Sequence, residues 1–154
     1  SWKIRENPKV KLLERTNIRF LKSENIFSKE DIFPDFVVAD LSFISLKLVL
    51  KPIEDLLNKN FFEGIFLIKP QFEVGKEYVS KGGVVKESKY HLLALNSVIN
   101  SIESFNWQIN GLIASPLVGP AGNHEYLIWI SKTKLNQFSV NEQFLYELVK
   151  QTLS

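Results

Sequence analysis

The 154-residue sequence contains no cysteine and no methionine, and none of its seven glycines comes before Gly64. Zero cysteine removes disulfides, thiolate nucleophiles and cysteine-based zinc or iron–sulfur sites together, and it fits a reducing cytoplasmic compartment. Without methionine there is no initiator, so the sequence reads as a processed or trimmed chain that starts at Ser1. The glycine-free first 63 residues hold no glycine-rich turn. Long hydrophobic runs are missing too. The longest uncharged stretch, Ser104 to Asn123, is interrupted by Asn106, Gln108, Asn110, Pro116 and Pro120, which is too polar and broken for a bilayer helix. The charged start Ser1-Trp2-Lys3-Ile4-Arg5 lacks the apolar core of a signal peptide. No helix pattern is both strongly amphipathic and basic, so membrane lysis has no support. The two histidines, His91 and His124, have no metal-ligand spacing. No metal is expected, no Ser-His-Asp set stands out, and no G-x-x-x-x-G-K-[ST] string occurs.

What is present is ordinary for one globular domain: 45% hydrophobic and 23% charged residues. The net charge of +2 is uneven. Residues 1–22 carry seven Lys/Arg against Glu6 and Glu14, and the remainder is net acidic. A basic end suits a polyanion partner, although a solvated basic face explains it as well.

Lys9–Leu13 alternates apolar and cationic residues and predicts a strand ending at Glu14. Ser28-Lys-Glu-Asp31 reads as a capped turn. Phe36–Ala39 and Ile65–Ile68 are short continuous apolar runs, as in strands buried on both faces. Between them, Leu46, Val49, Leu50, Ile53, Leu56 and Leu57 predict a helix over about 44–59, with Pro52 marking a kink or a later start. A polar loop over 70–85 and a helix over about 87–104 follow. Trp107–Ala114 and Glu125–Ser131 predict two strands, and Ser139-Val140-Asn141-Glu142 reads as a capping box opening a last helix. Strands alternating with helices imply an open α/β sheet, mostly parallel. The connection 115–124 is too short for a crossover helix, so one strand is antiparallel.

Three successive strand candidates end on a charge: Glu14, Asp40 and Lys69. In a parallel sheet such tips share one edge, outside which ligands bind. Glu125 opens a strand behind a loop that can fold back to the same edge. Two carboxylates around a lysine can activate a hydroxyl or stabilise developing charge. For base work a lysine needs burial or a neighbouring cation, because carboxylates favour its charged form.

The strings Glu14-Arg-Thr-Asn17-Ile-Arg19, Ala39-Asp-Leu-Ser-Phe-Ile-Ser45, Leu67-Ile-Lys-Pro-Gln-Phe-Glu73, Gly82-Gly-Val-Val85 and Ser115-Pro-Leu-Val-Gly-Pro-Ala-Gly-Asn-His-Glu-Tyr-Leu127 span nearly the whole chain. In this order they resemble the TlyA (hemolysin A) group of FtsJ-like methyltransferases. The resemblance implies an S-adenosylmethionine-dependent 2′-O-methylation of ribosomal RNA by a Lys-Asp-Lys-Glu tetrad. Asp40, Lys69 and Glu125 match its last three members. It places Lys69 at the target 2′-OH, Asp40 and Glu125 as groups that orient the lysines and the methionine end of the cofactor, and Thr16 and Asn17 near the adenine. It implies a Rossmann-like methyltransferase sheet that lacks its first strands. The family's first lysine, glycine-rich cofactor loop, ribose-binding acid and S4-type RNA-binding domain have no counterpart in residues 1–154.

From these departures follow four expectations. The chain is a partial methyltransferase domain. Alone it binds S-adenosylmethionine weakly or not at all, because no glycine loop lets the backbone approach the cofactor. Alone it is inactive. It leaves an unpaired sheet edge through which copies can associate. The resemblance implies ribosomal RNA or a ribosomal subunit as partner. The loop Gln71–Lys89, with Lys76, Lys81, Lys86 and Lys89 beside Phe72 and Tyr78, could stack on and steer an RNA strand, or be a solvated loop. The alternative function is a non-catalytic RNA- or ribosome-binding remnant of the same fold. Asp40-Leu-Ser-Phe43 stands where an amino-group methyltransferase would carry [DN]-P-P-[YF].

Overall fold

The computed structural model describes residues 2–28 and 30–154. Its elements run α1 (Trp2–Arg5), β1 (Phe36–Ala39), α2 (Leu50–Leu56), β2 (Glu63–Ile68), α3 (Pro70–Glu73), α4 (Ser88–Ser104), β3 (Gln108–Ala114), β4 (Tyr126–Ser131) and α5 (Glu142–Thr152), with single 3-10 turns between some of them.

The strands form one sheet in the order β1-β2-β4-β3. β1 and β2 are parallel, whereas β4 is antiparallel to both of its neighbours. β3 therefore runs with β1 and β2, and β4 alone is reversed between them. The links from β1 to β2 and from β2 to β3 carry α2 and α4, as co-directional strands require. β3 returns to β4 through a helix-free loop, so that pair closes antiparallel.

Burial alternates along every strand. Ala39, Phe66, Ile68, Leu112, Ile128 and Ile130 point into a core shared with Val49, Leu50 and Ile53 near and in α2, Leu95, Val98 and Ile102 of α4, and Leu145 and Val149 of α5. Phe62 and Trp107 anchor that core edge to face, their ring centres 5.0 Å apart. On the opposite face Phe36, Val38, Ile65 and Ile113 are exposed, and Leu67, Leu127 and Trp129 are half-buried. This corrects the expectation of strands buried on both sides: among the described residues the core lies against one face only.

Other expectations also change. Lys9–Leu13 forms no strand; the segment is irregular, and Val10, Leu12 and Leu13 are exposed. Alternation supplies a face, but a strand also needs a neighbour for its backbone bonds, and among the described residues β1 pairs only with β2. The long helix over 44–59 is split into a 3-10 turn, Leu46–Leu48, and the seven-residue α2. Pro52 sits in the first turn of α2, where a missing N–H costs no helical bond. The loop after Lys69 is more ordered than its polarity suggests, since it contains α3 and a 3-10 turn at Lys76–Tyr78. α5 is capped by Asn141, whose side chain accepts from the Phe144 N–H, and Ser139 takes no part. The expected turn over 28–31 includes Lys29, which lies outside the described residues; the Ser28 N–H donates to Asp31 Oδ2 at 2.7 Å.

Candidate active site

The sheet brings Asp40, Lys69 and Glu125 to one edge. Asp40 follows the last residue of β1, Lys69 the last residue of β2, and Glu125 precedes β4. Ile68 pairs with Tyr126, so the next step of the same ladder sets Lys69 beside Glu125. Lys69 Nζ lies 2.6 Å from Asp40 Oδ1 and donates to Ser42 Oγ at 3.0 Å. The lysine side chain is only 13% exposed, whereas that of Asp40 is 72% exposed. The ammonium has three N–H donors. Two are directed at Asp40 and Ser42, which leaves a third for a substrate oxygen.

Glu125 is buried, and its Oε1 accepts from Gln71 Nε2 at 3.2 Å. Its setting depends on the loop before it. A Cβ on Gly119 would come within 3.0 Å of Glu125 Oε1, so glycine lets the loop close over the carboxylate. Asn123, also buried, receives the Val85 N–H on Oδ1 and donates from Nδ2 to the Gly83 carbonyl, tying the Gly82-Gly83 turn to the loop that carries Glu125. The remaining amide oxygen of Gln71 has no partner among the described residues.

Beside this edge runs an open groove of about 1290 Å³. It is lined by Arg15, Thr16, Asn17 and Arg19 from the N-terminal segment and by Ser42, Phe43, Gln71, Phe72 and Lys76. Two of these residues reach the edge: Ser42 bonds Lys69 and Gln71 bonds Glu125. The groove thus abuts the carboxylate–lysine cluster without including it. Phe43 packs on Phe72 with centroids 5.2 Å apart, stays 92% exposed and holds φ +63°. A non-glycine residue at positive φ is uncommon, and Arg15, also on the groove, shares the conformation at φ 54°.

Thr16 and Asn17 do line the groove, but their side chains are used locally, Thr16 Oγ1 on the Glu14 carbonyl and Asn17 Oδ1 on the Arg19 N–H. Glu14 is not at a strand tip; it is exposed and pairs with Arg5. Sequence reasoning missed Ser42, Gln71 and Asn123 as partners of the cluster. All three lie inside the family-like strings, and that position was the available signal.

The residues present fit S-adenosylmethionine only in part. Asp40 offers an exposed carboxylate to a cationic group. The groove is basic, however, with no acidic residue among its described lining, and Gly82, Gly83 and Gly122 face open space and form no cradle. Among the described residues no group of three or more His, Asp or Glu is placed to hold a metal ion. No helix among them is long and apolar enough to cross a membrane.

The family model for FtsJ-like methyltransferases matches residues 1–132. TlyA, a 16S/23S rRNA (cytidine-2′-O)-methyltransferase of Mycobacterium tuberculosis, is 42% identical over 130 residues, covering 84% of this chain and 47% of its own length. Hemolysin A of Brachyspira hyodysenteriae is 34% identical over 127 residues, covering 82% and 51%. A solved structure described as a hemolysin from Streptococcus thermophilus superposes with a TM-score of 0.86 at 32% identity, over 99% of this chain and 53% of that one. The chain spans about half the length of the curated relatives it matches. By family model, sequence identity and fold together, the chain belongs to the FtsJ-like methyltransferase family, in its TlyA (hemolysin A) group.

Proposed function

We propose that this chain carries the hydroxyl-activating part of an RNA 2′-O-methyltransferase site acting on ribosomal RNA in the cytoplasm. One observation carries the reading: a largely buried Lys69 ammonium held between Asp40 and Ser42, beside Glu125 on the ladder. S-adenosylmethionine, when bound, supplies the methyl group. The chain's own residues do the rest. The third N–H of Lys69 points a donor at the ribose 2′-oxygen and stabilises negative charge as it develops there, the 2′-OH proton passing to solvent water. Asp40 keeps the lysine aimed, and its exposed oxygens can face a cationic ligand. Glu125, fixed by Gln71 and Gly119, sets the far side of the edge. Arg15, Arg19 and Lys76 along the groove offer phosphate contacts, which position an RNA strand without reading its sequence.

The same reading makes the chain the C-terminal part of a methyltransferase domain. Its apolar open face and free β1 edge suit a sheet that continues and is covered on both sides. By itself it supplies no glycine cradle for the cofactor. In a protein of the relatives' full length, Lys69→Ala should lower the methylation rate of ribosomal subunits by about 10²–10³-fold, the usual worth of one donor aimed at developing charge, with RNA binding retained. The 154-residue chain alone should show neither methyl transfer nor low-micromolar cofactor binding by calorimetry. Full activity of Lys69→Ala would sink the catalytic reading, and tight cofactor binding by the isolated chain would sink the partial-domain reading.

A further inference from the structure

Glu73, the last residue of α3, is buried to 9% exposure and makes no salt bridge among the described residues. Its Oε2 accepts the Ser45 hydroxyl at 2.6 Å and its Oε1 the Leu46 N–H at 2.8 Å. Burial pushes its carboxyl above the usual range, against the pull of these two donors and of the nearby Lys47 charge. A buried carboxylate with only neutral hydrogen-bond partners is costly, and the chemistry above does not use it.

Its place in the chain gives it a use. Ser45 caps the 3-10 turn Leu46–Leu48, receiving the Lys47 N–H on its hydroxyl. Five residues earlier lies Asp40, and between them are Ser42 and the left-handed Phe43. Glu73 lies four residues beyond Lys69, with α3 between. The contacts therefore close a ring. From Lys69 it passes through α3 to Glu73, across to Ser45 and Leu46, back along the chain to Ser42 and Asp40, and across again to Lys69 Nζ. At its other end the 40–46 segment follows β1, an edge strand, and along its length Leu41 and Ile44 pack partly against the core while Phe43 touches Phe72. Two charge-assisted bonds on one carboxylate give the defined geometry that a single hydroxyl contact would not.

We propose that Glu73 is a positioning residue: by clamping Ser45 and Leu46 it holds the 40–46 segment so that Asp40 and Ser42 stay on the Lys69 ammonium. This rests on Lys69 and Asp40 being the reacting pair. The test uses the 154-residue chain labelled with ¹⁵N, comparing wild type with Glu73→Ala and Glu73→Gln. In Glu73→Ala the amides of Leu46, Lys47, Leu48 and Val49, which are bonded to Glu73, Ser45 and Leu46, should exchange at least about tenfold faster, as expected for losing two charge-assisted bonds. The amides of β2 and β4 should stay protected, and the Lys69 ammonium resonance should shift or broaden. Glu73→Gln, whose side-chain oxygen can still accept the Leu46 N–H, should recover part of both signals. An unchanged Lys69 resonance, or exchange rising equally across the core, overturns the clamp and leaves a merely structural residue. Should Glu73→Ala not fold, Ser45→Ala removes one of the two donors and is judged by the same signals. A responsive Lys69 resonance with full methylation by Lys69→Ala would sink the catalytic reading and spare the clamp; the reverse pair of results would do the opposite.

Discussion

His91 is the clearest case of a side chain whose protonation state is dictated by its partners. It is fully buried in α4, with Nε2 2.9 Å from the Val85 carbonyl and Nδ1 2.9 Å from the Tyr126 hydroxyl. A carbonyl can only accept, so Nε2 carries the proton and Nδ1 accepts from the phenol. Burial pushes the imidazole below its ordinary 6.5, and the charge of His124 adds to that, while the Val85 bond works the other way. Burial also pushes the Tyr126 phenol up to about 12, which keeps it a donor. The folded chain therefore resists a proton that the unfolded chain takes up near pH 6.5. The sign follows: the contribution of His91 to stability is present above pH 6.5 and is lost as pH falls from there through the depressed folded value. Urea midpoints for the wild type should drop between about pH 7.5 and about pH 5.5, the range in which histidine titrates. His91→Gln should be less stable at the upper pH and flatter across the window; an equal slope in both proteins would remove His91 as the cause. The contact matters for the site because Tyr126 adjoins Glu125, and Val85 is bonded through its N–H to Asn123.

At the scale of elements, the legible parts were those that a local pattern fixes. Apolar runs ending at Asp40 and Lys69 marked two strand tips, and the helix-free connection 115–124 marked the reversed strand. These three facts already place Asp40, Lys69 and Glu125 on one edge. The illegible parts depend on a partner distant in sequence. Lys9–Leu13 has the alternation of a strand and no strand beside it. Glu73 and Gln71 look like loop residues until α3 turns them onto Ser45 and Glu125. The capping box failed because Asn141 stands directly before the helix and Ser139 two residues further out. The loop after Lys69 carries the remaining element-scale question, whether it grips RNA. Lys76 lines the groove, Lys81 is exposed beside the left-handed Gly82 and Gly83, and Tyr78 stacks on Tyr90 at 4.5 Å. If the loop holds phosphates, Lys76→Glu with Lys81→Glu should weaken binding of a ribosomal RNA fragment. It should also lower the slope of log affinity against log salt by up to about two, roughly one for each phosphate released. Unchanged affinity and slope would leave it a solvated surface loop.

For the whole molecule, the decisive feature is the face that the helices leave open. Phe36 and Val38 of β1, Ile65 of β2 and Ile113 of β3 are exposed on it, Val38 to 71%, and among the described residues β1 has a strand partner on one side only. An apolar sheet edge with unpaired backbone groups is a template for another strand, and apolar patches of this kind mark surfaces that bind. Two occupants compete: a second copy of this chain, or the further layer of a larger methyltransferase domain. Concentration separates them. The isolated chain should self-associate reversibly, and sedimentation should show the dimer fraction rising with concentration in the micromolar range. Val38→Lys places a charge on the edge strand and should shift the chain to monomer with its far-UV circular dichroism unchanged. A wild-type chain that stays monomeric throughout would refute association through this edge. Where the chain self-associates, a protein of the relatives' full length decides the native occupant. If that protein is monomeric and indifferent to concentration, the rest of its own domain covers the face, and the dimer belongs to the isolated chain alone. If it dimerises and loses the dimer on Val38→Lys, the face is an interface between copies.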